Sequence, residues 1–174
     1  MMQNGVDKLD IYYKMHLVSG GNLLELSEDD VSSEHILQRL ALQHVIEGEV
    51  CISFDGEEWC VVDELWAAVQ NICFDCAITM VGKRRPDFRY LCTSQDFIVT
   101  FTDLGENLEV KDSDGRCFTV NKSILFHKAL ECGKRFIRLL IDIPGGSDGT
   151  RIFLEKRAQS ATDVLMAAGI IPDR

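Results

Sequence analysis

Cysteine and histidine are the residues of this chain whose spacing could support chemistry. Cys73 and Cys76 form a CxxC pair, a spacing that binds metal ions or forms a redox-active dithiol in other proteins. A redox pair is expected at the start of a helix, where the helix N-terminus lowers the thiol pKa, but this pair falls late in a predicted helix. No second cysteine pair and no histidine follow at zinc-finger spacing. The pattern therefore favours structural cysteines over a redox or metal site.

A cysteine nucleophile could be assembled from Cys132 and a histidine, with His127, His44 or His16 as the base. Cys132 and His127 lie on the same strongly amphipathic predicted helix, and Cys132 occupies its apolar stripe. A thiol buried among apolar side chains has a raised pKa and reacts slowly. A core cysteine is therefore the favoured interpretation, and a small enzyme with Cys132 or Cys73 as nucleophile is the alternative.

Glycine-rich and basic segments add no catalytic signature. The loop over residues 145–149 follows a helix and lacks the spacing of a phosphate-binding loop. Lys83, Arg84 and Arg85 form a basic patch with Arg89, which favours a solvated loop or an intramolecular partner for acidic residues over a nucleic-acid site. The sequence therefore predicts no enzyme activity, no cofactor and no metal.

Acidic residues are concentrated in one part of the chain. The sequence has 28 Asp and Glu against 18 Lys and Arg, a net charge of −10 at pH 7. Residues 22–64 contain twelve acidic residues and a single basic one, Arg39. A net charge of this sign argues against nucleic acid and anionic membranes as partners, because both are polyanions. The concentration predicts a surface for a cationic partner, with solubilising surface as the alternative.

The acidic hairpin predicted over residues 47–62 is the centre of this surface. Alternation puts Glu47 and Glu49 on one face of the sheet, where we expect them near Glu57 and Glu58. Like charges at such short distances destabilise a fold, so the presence of these four glutamates favours a binding role. The predicted binding residues are Glu47, Glu49, Asp55, Glu57, Glu58, Trp59, Asp112 and Asp114.

The elements that position these residues follow from periodicity and turn signals. Asp55-Gly56 is the strongest hairpin turn, while Asp63 and Asn121 are expected to cap the second and third helices. An α+β fold follows, a single domain over residues 1–174 in which an antiparallel sheet of hairpins and a meander packs against three to four helices. Residues 151–155 are predicted to form either a strand or the start of the last helix. The predicted strands are 9–18, 23–26, 47–54, 59–62, 88–92, 96–102, 108–111 and 117–120, and the predicted helices are 34–44, 64–77, 122–141 and 161–168.

Nothing in the sequence predicts export or membrane insertion. The N-terminal residues lack a basic stretch followed by an apolar one, and apolar stretches such as residues 164–171 are too short and mixed to span a membrane. The seven cysteines are an odd number in a chain large enough to have its own core, and in a cytosolic protein we expect them to stay reduced. The sequence therefore predicts a soluble cytoplasmic protein.

The middle and end of the chain carry a further pattern. A D-G hairpin over residues 48–62 leads into a helix with Trp66 and Cys73, and a meander follows over residues 97–120. The next helix has the order Leu125-x3-Ala129-Leu130-x-Cys132-Gly133-x-Arg135-Phe136-x2-Leu139-Leu140. In this combination the chain resembles small bacterial immunity proteins of contact-dependent growth inhibition and related polymorphic toxin systems.

The resemblance implies a cytosolic, non-enzymatic antidote that binds the C-terminal domain of a cognate toxin, often a basic nuclease. It leaves open whether the toxin is a tRNase, a DNase or another enzyme, and whether the antidote covers the active site or an exosite. The oligomeric state is open as well. A ligand-binding or regulatory accessory domain, which requires an apolar pocket, stands beside the cysteine enzyme as an alternative.

Overall fold

The first part of the chain forms a four-stranded antiparallel sheet, sheet A, in the computed structural model, which describes residues 8–146 and 148–172. Its strands are β1 (Asp10–Ser19), β2 (Asn22–Ser27), β3 (Glu47–Phe54) and β4 (Glu57–Glu64). They lie in the order β2-β1-β3-β4. Asp55 and Gly56 turn the second hairpin with φ angles of 49° and 84°, the left-handed conformations of a two-residue turn. Residues 1–7, in which the sequence predicts no export signal, lie outside the described residues.

The middle of the chain forms a second four-stranded antiparallel sheet, sheet B. Its strands are β5 (Asp87–Leu91), β6 (Ile98–Asp103), β7 (Asn107–Asp112) and β8 (Cys117–Asn121). They lie in sequential order, so the predicted meander is confirmed. The α+β fold is confirmed with it, although the strands form two sheets and the predicted fold has one.

Four helices of eight residues or more are present in the described part of the chain. They are α1 (Glu34–Ala41), α2 (Leu65–Gly82), α3 (Lys122–Asp142) and α4 (Asp148–Ala167). Ser33 caps α1, since its Oγ accepts a hydrogen bond from the Ile36 amide at 3.3 Å. Asn121 caps α3 as predicted, accepting from the Ile124 amide at 3.0 Å. Helix α4 is continuous, so the strand considered for residues 151–155 is wrong.

Helix α2 lies in the core of the protein. It continues past its predicted end at residue 77 and contains π turns over Val69–Asp75 and Ile78–Gly82. Its 18 residues have a mean hydropathy of 1.3 and could cross a membrane by length and composition alone, so the expectation that every apolar stretch is too short is wrong here. In the structure 56% of the segment is buried, and it packs against α3 and α4. The core accounts for its apolar character.

One buried cluster connects both sheets with the helices. Helix α3 packs on one face of sheet A, where the rings of Tyr13 and Phe136 lie 5.4 Å apart. Gly133 lets α3 approach α2, because a Cβ at this position would overlap the fully buried ring of Phe74. Because α3 covers one face of sheet A, the opposite face carries polar side chains such as Tyr12, Lys14 and Glu49.

Asp63 joins the two sheets and does not cap a helix. The predicted cap is wrong because β4 extends through Glu64, which places Asp63 inside the strand. The Asp63 carboxylate is 1% exposed and accepts hydrogen bonds from Thr93 N at 2.8 Å, Thr93 Oγ1 at 2.6 Å, Ser94 N at 2.9 Å and the Tyr90 hydroxyl. These donors belong to β5 and to the loop before β6. Asp63 therefore fixes the end of sheet A against sheet B.

Candidate functional site

The predicted acidic residues of the second hairpin lie at its two opposite ends. Glu57 stands beside the turn, in register with Phe54, and Glu58 follows it. Glu47 and Glu49 lie at the far end, because each residue pairs with one equally distant from the turn. The prediction that Glu47 and Glu49 lie near Glu57 and Glu58 is therefore wrong for Glu47 and Glu57. The side chains of Glu49 and Glu58 do approach each other, because both lie beside the sulfur atoms of Cys51 and Cys60.

A groove of about 210 Å³ lies between the turn end of this hairpin and strand β8 of sheet B. Its floor is aromatic: the Phe118 ring lies 6.5 Å from Phe54 in a stacked arrangement and 5.5 Å from Trp59 in an edge arrangement. Glu57 and Arg116 line its polar side. Phe118 and Arg116 were missed from the sequence, since only the contact between the two sheets brings them to the hairpin. We call this site the hairpin groove.

Trp59 and Asp112, both predicted as exposed partner contacts, bind each other inside the protein. Trp59 Nε1 donates a hydrogen bond to Asp112 Oδ2 at 2.8 Å, and the Arg116 amide and Nε each donate to the same carboxylate at 2.9 Å. Burial alone would raise the pKa of Asp112, but these hydrogen bonds hold the pKa below its ordinary value. With Trp59 6% and Asp112 3% exposed, the predicted exposure is wrong for both residues. They hold the floor of the hairpin groove.

Contacts within the chain use most of the acidic residues between positions 22 and 64. The side chains of Asp29, Glu47, Asp55 and Glu57 have no hydrogen-bond or ion-pair partner among the described residues, and neither has that of Asp114. The eight that have partners are Glu25, Glu28, Asp30, Glu34, Glu49, Glu58, Asp63 and Glu64. Fewer acidic side chains are therefore available to a cationic partner than the net charge of residues 22–64 indicates.

Glu58 belongs to a network on the polar face of sheet A. Lys14 Nζ lies 2.9 Å from a Glu58 oxygen and 3.2 Å from a Glu25 oxygen, and the Tyr12 hydroxyl donates to Glu58. Burial and the Glu58 carboxylate raise the pKa of Tyr12 to about 12. The Glu58 carboxylate is thus exposed, but it already accepts hydrogen bonds from Tyr12 and Lys14.

Cys51 and Cys60 form a disulfide on the same polar face. They are directly opposite each other in the β3–β4 register, with Cα atoms 4.0 Å apart. The expectation that all seven cysteines are reduced is therefore wrong for this pair in the structure. Their equal distance from the turn at Asp55-Gly56 is the sequence signal that could have predicted the pairing.

The cysteine nucleophile of the alternative enzyme hypothesis lies in the core. Contact with Cys73 and full burial raise the pKa of Cys132 well above its ordinary value. His127 is exposed on α3 and pairs with Glu131 at 3.5 Å, so no base acts on this thiol from that position. Cys73 and Cys76 are buried too, as expected of structural cysteines. This arrangement argues against thiol chemistry at Cys132.

Thiol labelling distinguishes the two interpretations of Cys132. We expect iodoacetamide to modify Cys117, the exposed free cysteine, at least about 100-fold faster than Cys132, because a buried thiol reacts only when the structure opens locally. Timed labelling of the native reduced protein, followed by peptide mass spectrometry, measures both rates. Labelling of Cys132 as fast as that of Cys117 would restore the enzyme hypothesis.

The basic loop is solvated. Lys83, Arg84, Arg85 and Arg89 are all exposed, and within the described ranges none of them forms an ion pair with an acidic residue. Of the two favoured interpretations, a solvated loop agrees with the structure and an intramolecular partner for the acidic segment does not.

A second cavity, of about 360 Å³, lies between α1, α3 and the loop over residues 145–149, of which Ser147 lies outside the described residues. Trp66 and Phe136 line it on the apolar side and His44 on the polar side. Small-molecule sites occupy roughly 300–1,000 Å³, so this cavity has room for a small ligand and the hairpin groove does not. It is the place where an accessory domain would hold one.

Comparison of the chain with protein-family models, with curated proteins and with solved structures finds no match. The residues around the hairpin groove therefore carry the functional conclusion.

Proposed function

We propose that this chain is a cytoplasmic immunity protein that neutralises a cognate toxin domain, most simply a basic nuclease, by binding it at the hairpin groove. The observation that supports this proposal is the charge around the groove. Glu57 lines the groove beside its aromatic floor, and Asp55 and Asp114 lie on the two turns that adjoin the lining residues Phe54 and Arg116 in the sequence. All three are exposed acids, and their side chains have no partner among the described residues. In this role the protein acts by binding and performs no reaction.

Acids of this kind favour a cationic protein partner on physical grounds. Like charges that no cation offsets destabilise the folded state, whereas a basic partner relieves the repulsion and is drawn in by the field. Aromatic side chains beneath the charges supply the apolar contact that holds the complex once it has formed. A toxin that cleaves nucleic acid needs a cationic substrate groove, so an acidic protein can occupy that groove in place of the phosphate backbone.

Co-expression tests the function directly. We expect the toxin domain encoded next to this protein to arrest growth when expressed alone, and co-expression of this chain to restore growth. The two proteins should then purify together as a one-to-one complex. Growth arrest that persists, or a toxin domain that does not co-purify, would contradict the proposal.

Charge reversal tests the place of binding. The triple variant Asp55→Lys, Glu57→Lys, Asp114→Lys is expected to slow association with the toxin domain by about 10–100-fold at low salt, because steering by these charges is lost. Stopped-flow or surface plasmon resonance at two salt concentrations measures the rate, and the difference should shrink at high salt. The matched control is the double variant Asp29→Lys, Glu47→Lys, which reverses exposed unpaired acids away from the groove. Equal rates for the triple variant and the control would exclude the groove as the binding site.

A ligand-binding accessory domain is the second candidate, and the cavity beside His44 and Trp66 supports it. Substitution of Trp66 by Phe would then alter binding of a small ligand and leave toxin binding unchanged. Differential scanning fluorimetry against a small-molecule collection measures this, and a stabilising ligand whose effect is lost in Trp66→Phe would favour the second candidate.

A further inference from the structure

The polar face of sheet A places three ligand-type side chains together at the disulfide. The ligand atoms of Glu49, Cys51 and Cys60 all lie within 4.8 Å of one another. Glu49 Oε2 is 3.7 Å from Cys51 Sγ, a separation close to that of two ligands on one tetrahedral ion. None of these three residues lines the hairpin groove, although Glu58, which does, has an oxygen 3.3 Å from Cys60 Sγ. The cluster takes no part in the proposed function.

The backbone holds this cluster in place whether or not the sulfur atoms are bonded. Cys51 is on β3, the strand between β1 and β4, and it pairs with Tyr12 on one side and Cys60 on the other. Reduction of the disulfide therefore leaves the two Cα atoms facing each other across an intact ladder. The result is two thiols and one carboxylate at neighbouring positions of the β3–β4 ladder.

We propose that the reduced protein binds one divalent ion of the zinc class through Cys51, Cys60 and Glu49. Two thiolates and a carboxylate suit an ion of borderline softness, and three protein ligands leave a fourth position for water. The disulfide excludes the ion, because its sulfur atoms have no free thiolate to donate. In the reducing cytoplasm predicted for this protein, the dithiol is the form that would meet the metal.

His16 is a positioning residue for this site. It is 9% exposed, and its Nε2 lies 3.3 Å from Glu49 Oε1, while the other Glu49 oxygen lies 3.7 Å from Cys51 Sγ. Contact with His16 on one oxygen thus leaves the other oxygen toward the sulfur atoms. Lys14 pairs with Glu49 in the β1–β3 register, so its charge offsets the net negative charge that two thiolates and a carboxylate would leave around a divalent ion. Glu58 is not assigned as a ligand because Tyr12 and Lys14 already bind it.

The redox step balances with a dithiol or phosphine reductant. A dithiol gives two electrons and two protons to the disulfide, breaking the S–S bond, forming two thiols and becoming a disulfide itself. A phosphine does the same with one water molecule and becomes a phosphine oxide. The ion then forms two metal–sulfur bonds and displaces the two thiol protons to solvent.

Metal titration of the full chain tests the proposal. Protein reduced with a phosphine and separated from it under inert gas is expected to bind one equivalent of Zn²⁺ in competition with a chromogenic chelator, and air-oxidised protein none. Co²⁺ in place of Zn²⁺ should give the sulfur-to-cobalt charge-transfer absorption of a two-thiolate site. Cys60→Ser should abolish this absorption, and His16→Gln should weaken the affinity by about 10–100-fold. The matched control is Cys117→Ser, which removes an exposed cysteine elsewhere and should leave binding unchanged.

Alkylation of the unaltered protein gives a second measurement that needs no folded variant. Zn²⁺ is expected to slow iodoacetamide modification of Cys60 in the reduced protein and leave the rate at Cys117 unchanged. The proposal would be overturned if the oxidised and reduced forms bound Zn²⁺ equally, or if Cys60→Ser bound a full equivalent. It would also be overturned if Zn²⁺ did not protect Cys60 from iodoacetamide.

Discussion

Replacing Asp63 by alanine is expected to lower the free energy of unfolding by about 3–5 kcal/mol, because it leaves several buried donors without an acceptor. The carboxylate accepts from the Tyr90 hydroxyl, from Thr93 through both its amide and its hydroxyl, and from the Ser94 amide. It also accepts from the Glu64 amide at 2.8 Å. Urea unfolding monitored by circular dichroism measures the change.

Two variants make the Asp63 result specific. Asp114→Ala removes an exposed carboxylate without a partner and should change the free energy of unfolding by less than about 0.5 kcal/mol. Tyr90→Phe removes one of the donors and should cost about 1 kcal/mol. If Asp63→Ala unfolds at the same urea concentration as Asp114→Ala, the junction of the two sheets does not depend on this carboxylate.

The same carboxylate predicts an acid dependence of stability. Burial alone would raise the pKa of Asp63, but hydrogen bonds from Thr93, Tyr90 and Ser94 outweigh it and lower the pKa from 3.8 to about 2. A group whose pKa is lowered by folding stabilises the protein above its unfolded pKa, and this contribution is lost as the pH falls through its folded pKa. The contribution is about 2 kcal/mol at neutral pH. Between pH 6 and pH 4 the difference in urea midpoint between the wild type and Asp63→Ala should stay constant, and it should narrow as the pH falls from about 4 to 2.

The second large effect is expected at Trp59. Trp59→Ala should lower the free energy of unfolding by about 3–5 kcal/mol, since it removes a buried indole from between the two sheets. The variant loses the ring contact with Phe118 and leaves Asp112 without its indole donor. Urea unfolding measures this loss in the absence of any toxin.

Trp59→Phe separates the packing of the ring from its hydrogen bond. Phenylalanine keeps much of the aromatic contact with Phe118 and loses the donor to Asp112, so we expect a smaller loss, of about 1–2 kcal/mol. Unfolding of Trp59→Ala within 1 kcal/mol of the wild type would mean that the indole is not part of the core. Trp59 would then be a contact of the partner, as predicted from the sequence.

The strands, the turns and the caps were predictable because their signals are local. Alternation along residues 47–54 and the Asp55-Gly56 turn determine the second hairpin, and Asn121 determines the start of α3. Local signals failed where a strand and a helix meet. Asp63 has the residue type of a helix cap, but β4 continues past it because donors from sheet B satisfy its carboxylate inside the strand.

The candidate site was predictable only in part. The residue types and the turn at the second hairpin correctly indicate Asp55, Glu57 and Asp114 as exposed acids. The sequence could not show that Trp59 faces Asp112, because 53 residues separate them and only the packing of sheet A on sheet B brings them together. Hydrophobic and charge patterns describe one helix or strand at a time and do not show which other elements pack against it.

The net charge shows the same division between sequence and tertiary structure. By itself the sequence determined that the acidic residues lie in one segment. The tertiary structure decided which of these acids remain free: Lys14 reaches Glu58 across 44 residues, and Arg135 reaches Glu28 across 107. A carboxylate paired with a cation offers little field to a partner, so the charge that acts at the surface depends on contacts between distant segments.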